Sequence, residues 1–381
     1  MQVVLLSGGS GKRLWPLSND IRSKQFIPVF RQIDGTRISM AQRVCQQVRR
    51  AIPDAAITVA TSKSQVSALR NQLGEAVDIS VEPCRRDTFP AIALVSAYLH
   101  DMKGIPLDEP VAVCPVDPYV EDSYFETVRR LAELAGEGAA DLMLMGVEPT
   151  YPSEKYGYIM PKEKENVSTV LSFKEKPDAK AAERYIEQGA LWNSGVFAYR
   201  LGYVLNRAYE MLDFQGYEEL LANYDNLTKI SFDYAVVERE KSVGVLRYAG
   251  EWKDLGTWNT LTEIMEEPSL GNVMMDEDCY GTHIVNEMDV PILAMGVRNL
   301  IVAASSEGIL VADKRASSYI KPYVEQISQP IMFAEKSWGS FRIIDVEEGS
   351  LTVKVTLNEG HAMNYHSHAD RREIWNVVSG H

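Results

Sequence analysis

An apolar run, Val3-Val4-Leu5-Leu6, ends abruptly in Ser7-Gly8-Gly9-Ser10-Gly11-Lys12-Arg13. Such a run before a turn reads as a buried first strand. Three glycines at positions 8, 9 and 11 let the backbone reverse and present bare N–H groups, a geometry that holds anions. Arg13 adds a planar, two-pronged contact suited to phosphate, and Lys12 a second cation. Open α/β sheets bind ligands just beyond the carboxyl ends of their strands, which is where this turn falls. The pattern is not the dinucleotide fingerprint, and no Lys-Ser/Thr pair closes it as in a P-loop. A glycine-rich turn by itself is equally compatible with a tight connection.

The first half of the chain supports such a sheet. Short β-type runs at residues 57–60, 79–81, 111–114 and 142–145 alternate with amphipathic stretches. Met40, Val44, Val48 and Ile52 share one helical face. Ile92, Val95, Leu99 and Met102 do the same, behind Thr88 as a candidate cap and Pro90 near the start. Strand–helix alternation predicts an α/β domain over residues 1–268, with a mainly parallel sheet covered by helices.

Two β-rich units are expected after it. Over residues 269–328, apolar pieces at 282–285, 292–295, 300–303 and 309–312 are punctuated by Gly281, Gly296, Asn299 and Gly308. Over 329–381, β-type runs at 341–346 and 351–357 precede Gly360, His366, His368, Glu373 and Gly380. That spacing resembles the first motif of the cupins. Two histidines two apart on a strand share a face, and with Glu373 could offer three ligands to a divalent metal. No second motif follows before His381, so the barrel is expected to stay incomplete.

Composition narrows the partners. A formal charge of −14 argues against general binding to nucleic acid or to anionic membrane. A site for anionic substrates must therefore gather its cations locally. The four cysteines show no CxxC spacing, and Cys114 in its apolar run reads as a buried, reduced thiol. There is no basic leader and no stretch near the roughly 20 apolar residues of a membrane span, so a cytoplasmic protein is expected.

The longer string Gly8-Gly9-Ser10-Gly11-Lys12-Arg13-Leu14-Trp15-Pro16-Leu17-Ser18, followed by Lys24-Gln25-Phe26, resembles the signature of the sugar-nucleotide pyrophosphorylases. Within that family it looks most like the bacterial mannose-1-phosphate guanylyltransferases. The resemblance implies a GT-A-like, Rossmann-related mixed sheet with helices on both faces. A small left-handed β-helix that assists homodimerisation would follow, then an incomplete cupin-like segment. It also implies Mg²⁺-dependent in-line transfer, in which GTP and α-D-mannose 1-phosphate give GDP-mannose and diphosphate.

Site residues follow from the matching segments. Leu6, Ser7, Gly8, Gly9, Gly11, Lys12 and Arg13 would cradle the nucleotide, and Lys24 would bind phosphate. Arg22-Ser23 stands where the family carries Tyr-Pro. Glu82-Pro83-Cys84-Arg85-Arg86-Asp87-Thr88 resembles Glu-Pro-x-x-Arg-Asn-Thr, which assigns Glu82, Pro83, Arg86, Asp87 and Thr88 to base and ribose. Asp117, in Pro115-Val116-Asp117-Pro118 where the family has Pro-Ala-Asp-His, would be one Mg²⁺ carboxylate. Asp254, before Leu255-Gly256, would be the other, although an aspartate there is also an ordinary turn residue. Arg13, Lys24, Asp117 and Asp254 form the expected catalytic set. Gly157, Glu175, Lys176, Asn193 and Gly195 would take the sugar phosphate, with Asp233-Tyr234-Ala235 shaping the pocket. The replaced residues, Asp87 and Pro118, leave open a different base or hexose, or a silent sugar-nucleotide-binding regulator.

Overall fold

The computed structural model describes residues 1–9 and 12–380. Gln2–Ser7 forms the first strand and lies inside a nine-stranded sheet. Ala56–Ser62 and Pro110–Pro115 flank it in parallel, and Asp78–Glu82 continues the parallel half. Leu191–Arg200 enters next to Pro110–Pro115 and runs antiparallel to it. Leu142–Val147, Val243–Tyr248, Val167–Lys174 and Tyr158–Pro161 complete the sheet. The sheet is thus mixed: Leu191–Arg200 and Val167–Lys174 both run against the other strands, a feature that periodicity alone did not announce. The expected runs at 57–60, 79–81, 111–114 and 142–145 all fall inside observed strands.

Alternation along these strands builds two cores. Val3, Leu5, Ala112, Cys114, Met143 and Met145 pack on one face, while Val4, Val111, Val113, Leu142 and Leu144 pack on the other. Two buried faces explain why the strands read as continuous apolar runs. Met40–Ala51 covers the first face, started by a capping box between Ser39 and Gln42, with Met40, Val44 and Val48 buried. Thr88–Ala97 covers the second and is buried almost all round, under the helix Leu201–Met211. Its cap is Asp87 rather than Thr88, and Met102, expected on the apolar face, is exposed. Burial pushes the Cys114 thiol up to about 12, and all four cysteines are free.

The second unit is a short β-helix. Ser269–Leu270, His283–Asn286 and Leu300–Ser305 stack in parallel on one side, and Val273–Met275 on Ile292–Ala294 on another. His283 sits beside Ile301, so one coil takes eighteen residues. Gly308–Asp313 closes the stack antiparallel.

The third unit is an antiparallel meander of Phe333–Lys336, Gly339–Glu347 and Ser350–Leu357. Beyond it, residues 358–380 form no strand, so His366 and His368 do not share a strand face as expected. They gather in coil instead. His368 Nε2 lies 2.7 Å from Glu373, His366 Nε2 lies 3.7 Å away, and Arg371 crowds the same carboxylate at 3.3 Å. Among the described residues no helix is long and apolar enough to cross a membrane.

Trp258 ties the end of the α/β domain to its beginning: it is fully buried, and its indole N–H donates to the Trp15 carbonyl at 2.9 Å. Trp258→Ala removes that bond and leaves a cavity, so it should cost about 3–5 kcal/mol, read as a lower denaturant midpoint.

Candidate active site

The glycine turn is held by its carbonyl. Gly9 O accepts from Ser23 Oγ at 2.8 Å, Gln65 Nε2 at 3.2 Å and Arg85 Nη2 at 3.4 Å. Behind it, Gln65 Oε1 accepts from Ser7 Oγ at 3.2 Å and Thr61 Oγ1 at 3.1 Å, and Gln25 Nε2 donates to Ser7 Oγ at 3.0 Å. These buried polar groups satisfy one another and set the turn's path. In front of the turn is open space: a Cβ on Gly8 or Gly9 would meet nothing within 4 Å.

That space is a cleft of about 510 Å³ at the carboxyl ends of the parallel strands. Leu6, Ser7, Gly8, Gly9, Glu82, Asp87 and Thr88 line it, as the sequence reading expects. Gly11 lies outside the described residues. Four expected residues do not line it: Lys12, Arg13, Pro83 and Arg86. Lys12 pairs with Asp20 at 3.6 Å, Pro83 is turned outward, and Arg86 donates to the Asp225 carbonyl. Arg85 and Lys229, not foreseen, supply the cations there. Between Arg86 and the following helix, Asp87 adopts φ +70° and its carboxylate accepts from Thr88 N at 2.9 Å. Glu82 is buried, and desolvation raises its pKa despite a 3.1 Å hydrogen bond from Tyr224.

Asp117 and Asp254 meet through a two-stranded ladder. Trp252–Asp254 runs antiparallel to Pro118–Val120, with Asp254 opposite Pro118. Lys24 Nζ lies between the carboxylates, 2.7 Å from Asp117 Oδ2 and 3.6 Å from Asp254 Oδ1. Burial works against its charge, but Asp117 and then Asp254 outweigh it and hold the pKa above the ordinary lysine value. Arg13, exposed on the turn Lys12–Leu14, is near enough for its charge to oppose that of Lys24. Lys24 was expected on phosphate; here both carboxylates engage it. Two hard carboxylates beside a phosphate cleft are a donor set that suits Mg²⁺, which usually takes its remaining ligands from water and substrate.

A second cavity of about 240 Å³ adjoins this cluster, lined by Gly157, Glu175, Asn193 and Gly195 together with Asp117 and Asp254. A Cβ at Gly157 would lie 2.5 Å from Glu175 Oε2, so glycine makes room for that carboxylate. Leu191–Arg200 loses register with Leu142–Val147 between Asn193 and Phe197. This bulge, with Gly195 at φ +74°, turns the Asn-Ser-Gly segment into the cavity. Asn193 Nδ2 donates to Asp233 Oδ1 at 2.7 Å, and its Oδ1 accepts from Gly195 N at 3.2 Å. Lys176, also expected on the sugar phosphate, does not line the cavity; it is half-exposed and pairs with Glu175, which does. Pro115, Gly195 and Asp233 line both cavities, which therefore form one trough with the acid pair at its side.

Asp233 is the group that the candidate set undervalued. Burial, reinforced by the Glu175 carboxylate, raises its pKa to about 7. Folding therefore favours its neutral form. Stability is lost as pH climbs from an unfolded carboxylate value of about 3.9 toward 7, and the loss levels off above that. Asp233→Asn removes the charging step. Its unfolding temperature relative to the parent should rise across that window and run parallel to it at higher pH.

Comparison with known proteins gives the family. Residues 2–269 match the Nucleotidyl transferase family. The xanthan biosynthesis protein XanB of Xanthomonas campestris pv. campestris (strain B100) is 29% identical over 99% of this chain and 85% of its own length. The mannose-1-phosphate guanylyltransferase RfbM of Salmonella typhimurium is 29% identical over 99% of this chain and 84% of its own. A solved structure described as mannose-1-phosphate geranyltransferase from Thermus thermophilus matches with a TM-score of 0.68 and 28% identity, covering 85% of this chain and 98% of that one. UDP-glucose pyrophosphorylase from Acinetobacter baumanii shares the fold at a TM-score of 0.50 and 16% identity, covering 69% of this chain and 90% of that one. With most of its length inside the family's limits, this chain belongs to the nucleotidyl transferase family and is an enzyme of the nucleotidyltransferase class.

Proposed function

We propose that the enzyme is a mannose-1-phosphate guanylyltransferase, joining GTP and α-D-mannose 1-phosphate to give GDP-mannose and diphosphate. The observation that carries this reading is the Asp117–Lys24–Asp254 cluster at the side of a trough with a nucleotide-sized and a sugar-sized end. A sugar-phosphate oxygen would attack the α-phosphorus while diphosphate leaves in line, chemistry that rests on positioning and charge neutralisation. The turn at Gly8 and Gly9 would hold the triphosphate, with Arg13 and Lys24 balancing its negative charge. Glu82 can accept from the N1–H and exocyclic amine of guanine. Glu175 and Asn193 face the cavity where hexose hydroxyls would sit, and Lys176 would exchange Glu175 for the sugar phosphate.

Asp117 and Asp254 would hold Mg²⁺, whose chemistry is to neutralise charge on the bound triphosphate. A homodimer through the β-helix belongs to the same reading, supported by exposed Met274, Leu293 and Met295 on its surface. The turn of Arg86 away from the cleft, together with Asp87, favours one alternative, a preference for another base.

Purified protein with Mg²⁺, mannose 1-phosphate and GTP should release diphosphate; equal turnover with ATP, UTP or dTTP would favour the alternative. Asp254→Asn should lower kcat by about 100-fold with the fold intact by circular dichroism. Lys176→Ala should raise KM for the sugar phosphate about tenfold and leave that for GTP nearly unchanged.

A further inference from the structure

The segment between the glycine turn and Lys24 is gripped from outside the α/β domain. Ser305 Oγ donates to the Pro16 carbonyl at 2.6 Å. Asn19 Nδ2 donates to Glu307 Oε1 at 2.8 Å and to the Phe333 carbonyl at 2.9 Å. Arg22 makes the central contact: Nη1 and Nη2 donate to the two oxygens of Glu287 at 2.7 and 3.0 Å. Its guanidinium lies 5.3 Å from the centre of the Phe333 ring, and the residue is 5% exposed. Glu287 follows the β-helix strand His283–Asn286, and its own N–H donates to Ala304 in the next coil at 2.8 Å. The carboxylate is thus built on a rigid platform.

From Arg22 the chain reaches the reactive cluster within two residues. Ser23 holds φ −72° and ψ 161°, the extended backbone a proline would impose, and does so through its Oγ contacts with Gly9 and Gln65. Lys24 follows at once with its ammonium on Asp117. Ser23 carries no ring to lock φ, so the direction of this segment depends on what holds its two sides.

We propose that Arg22 is a positioning residue: its ion pair with Glu287 lets the β-helix set the placement of Lys24 and, through Ser23, of the glycine turn. The β-helix then acts on the triphosphate end of the trough and not on the sugar end. The kinetic part of this inference rests on the proposed guanylyltransferase reading; the structural part does not.

Two variants test it, Glu287→Gln and the charge-preserving Arg22→Lys. Glu287→Gln should raise KM for GTP and lower kcat, together about tenfold in kcat/KM, with KM for mannose 1-phosphate within about twofold. Arg22→Lys, which keeps one prong of the pair, should fall between parent and Glu287→Gln. Hydrogen–deuterium exchange without substrate should quicken in peptides covering residues 15–26 and stay unchanged around Asn193. Equal rises in both KM values, unaltered kinetics in an active parent, or faster exchange spread over the whole α/β domain would overturn the inference. If the parent turns over no GTP while Glu287→Gln still shows the localised exchange change, the guanylyltransferase reading is overturned and the positioning role stands.

Discussion

Two carboxylates brought side by side at the mouth of a sheet repel one another, and here the Lys24 ammonium between Asp117 and Asp254 balances them. That ionic cluster organises the site. The ladder between Trp252–Asp254 and Pro118–Val120 can close because the charges it draws together are compensated. In the bound state of the proposed reaction, a divalent ion and the triphosphate's oxygens would share that balance with Lys24. The acidic background of the chain, at −14, makes such local compensation a requirement.

The trough depends equally on controlled backbone exposure. The glycine turn is fixed from behind, where its Gly9 carbonyl is saturated by Ser23, Gln65 and Arg85, while its front is left open. At the sugar end a bulge in Leu191–Arg200 performs the corresponding task, turning Asn193 and Gly195 out of the ladder and into the cavity. Both devices place the functional segments on a sheet buried on two faces, which limits how far they can drift. The β-helix extends this logic, since its Glu287, Ser305 and Glu307 hold the segment that joins the two halves of the phosphate end.

Much of the architecture was legible because period-two and period-3.6 patterns are written locally. The strands at 57–60 and 111–114 and the helix carrying Val44 and Val48 needed no tertiary information. The helix starting at Thr88 was harder: burial on nearly all sides erases amphipathic contrast, and its cap fell one residue earlier. Arg85 and Arg86 are indistinguishable by type, and only the fold shows that Arg85 lines the cleft while Arg86 donates to the Asp225 carbonyl. His366 and His368 lie together near Glu373 but not on a strand, because no neighbouring strand pairs with that segment.

The sequence by itself determined the alternating elements, the glycine turn and the identity of the charged groups, since each is a property of a few adjacent residues. Tertiary structure alone decided which of those groups act together. Asp117 and Asp254 meet across more than a hundred positions, Asp233 joins two cavities, and Arg22 finds Glu287 in another unit. Those pairings arise from strand order and packing, and their energies come from burial and from distances of a few ångströms, neither of which is encoded in local sequence spacing.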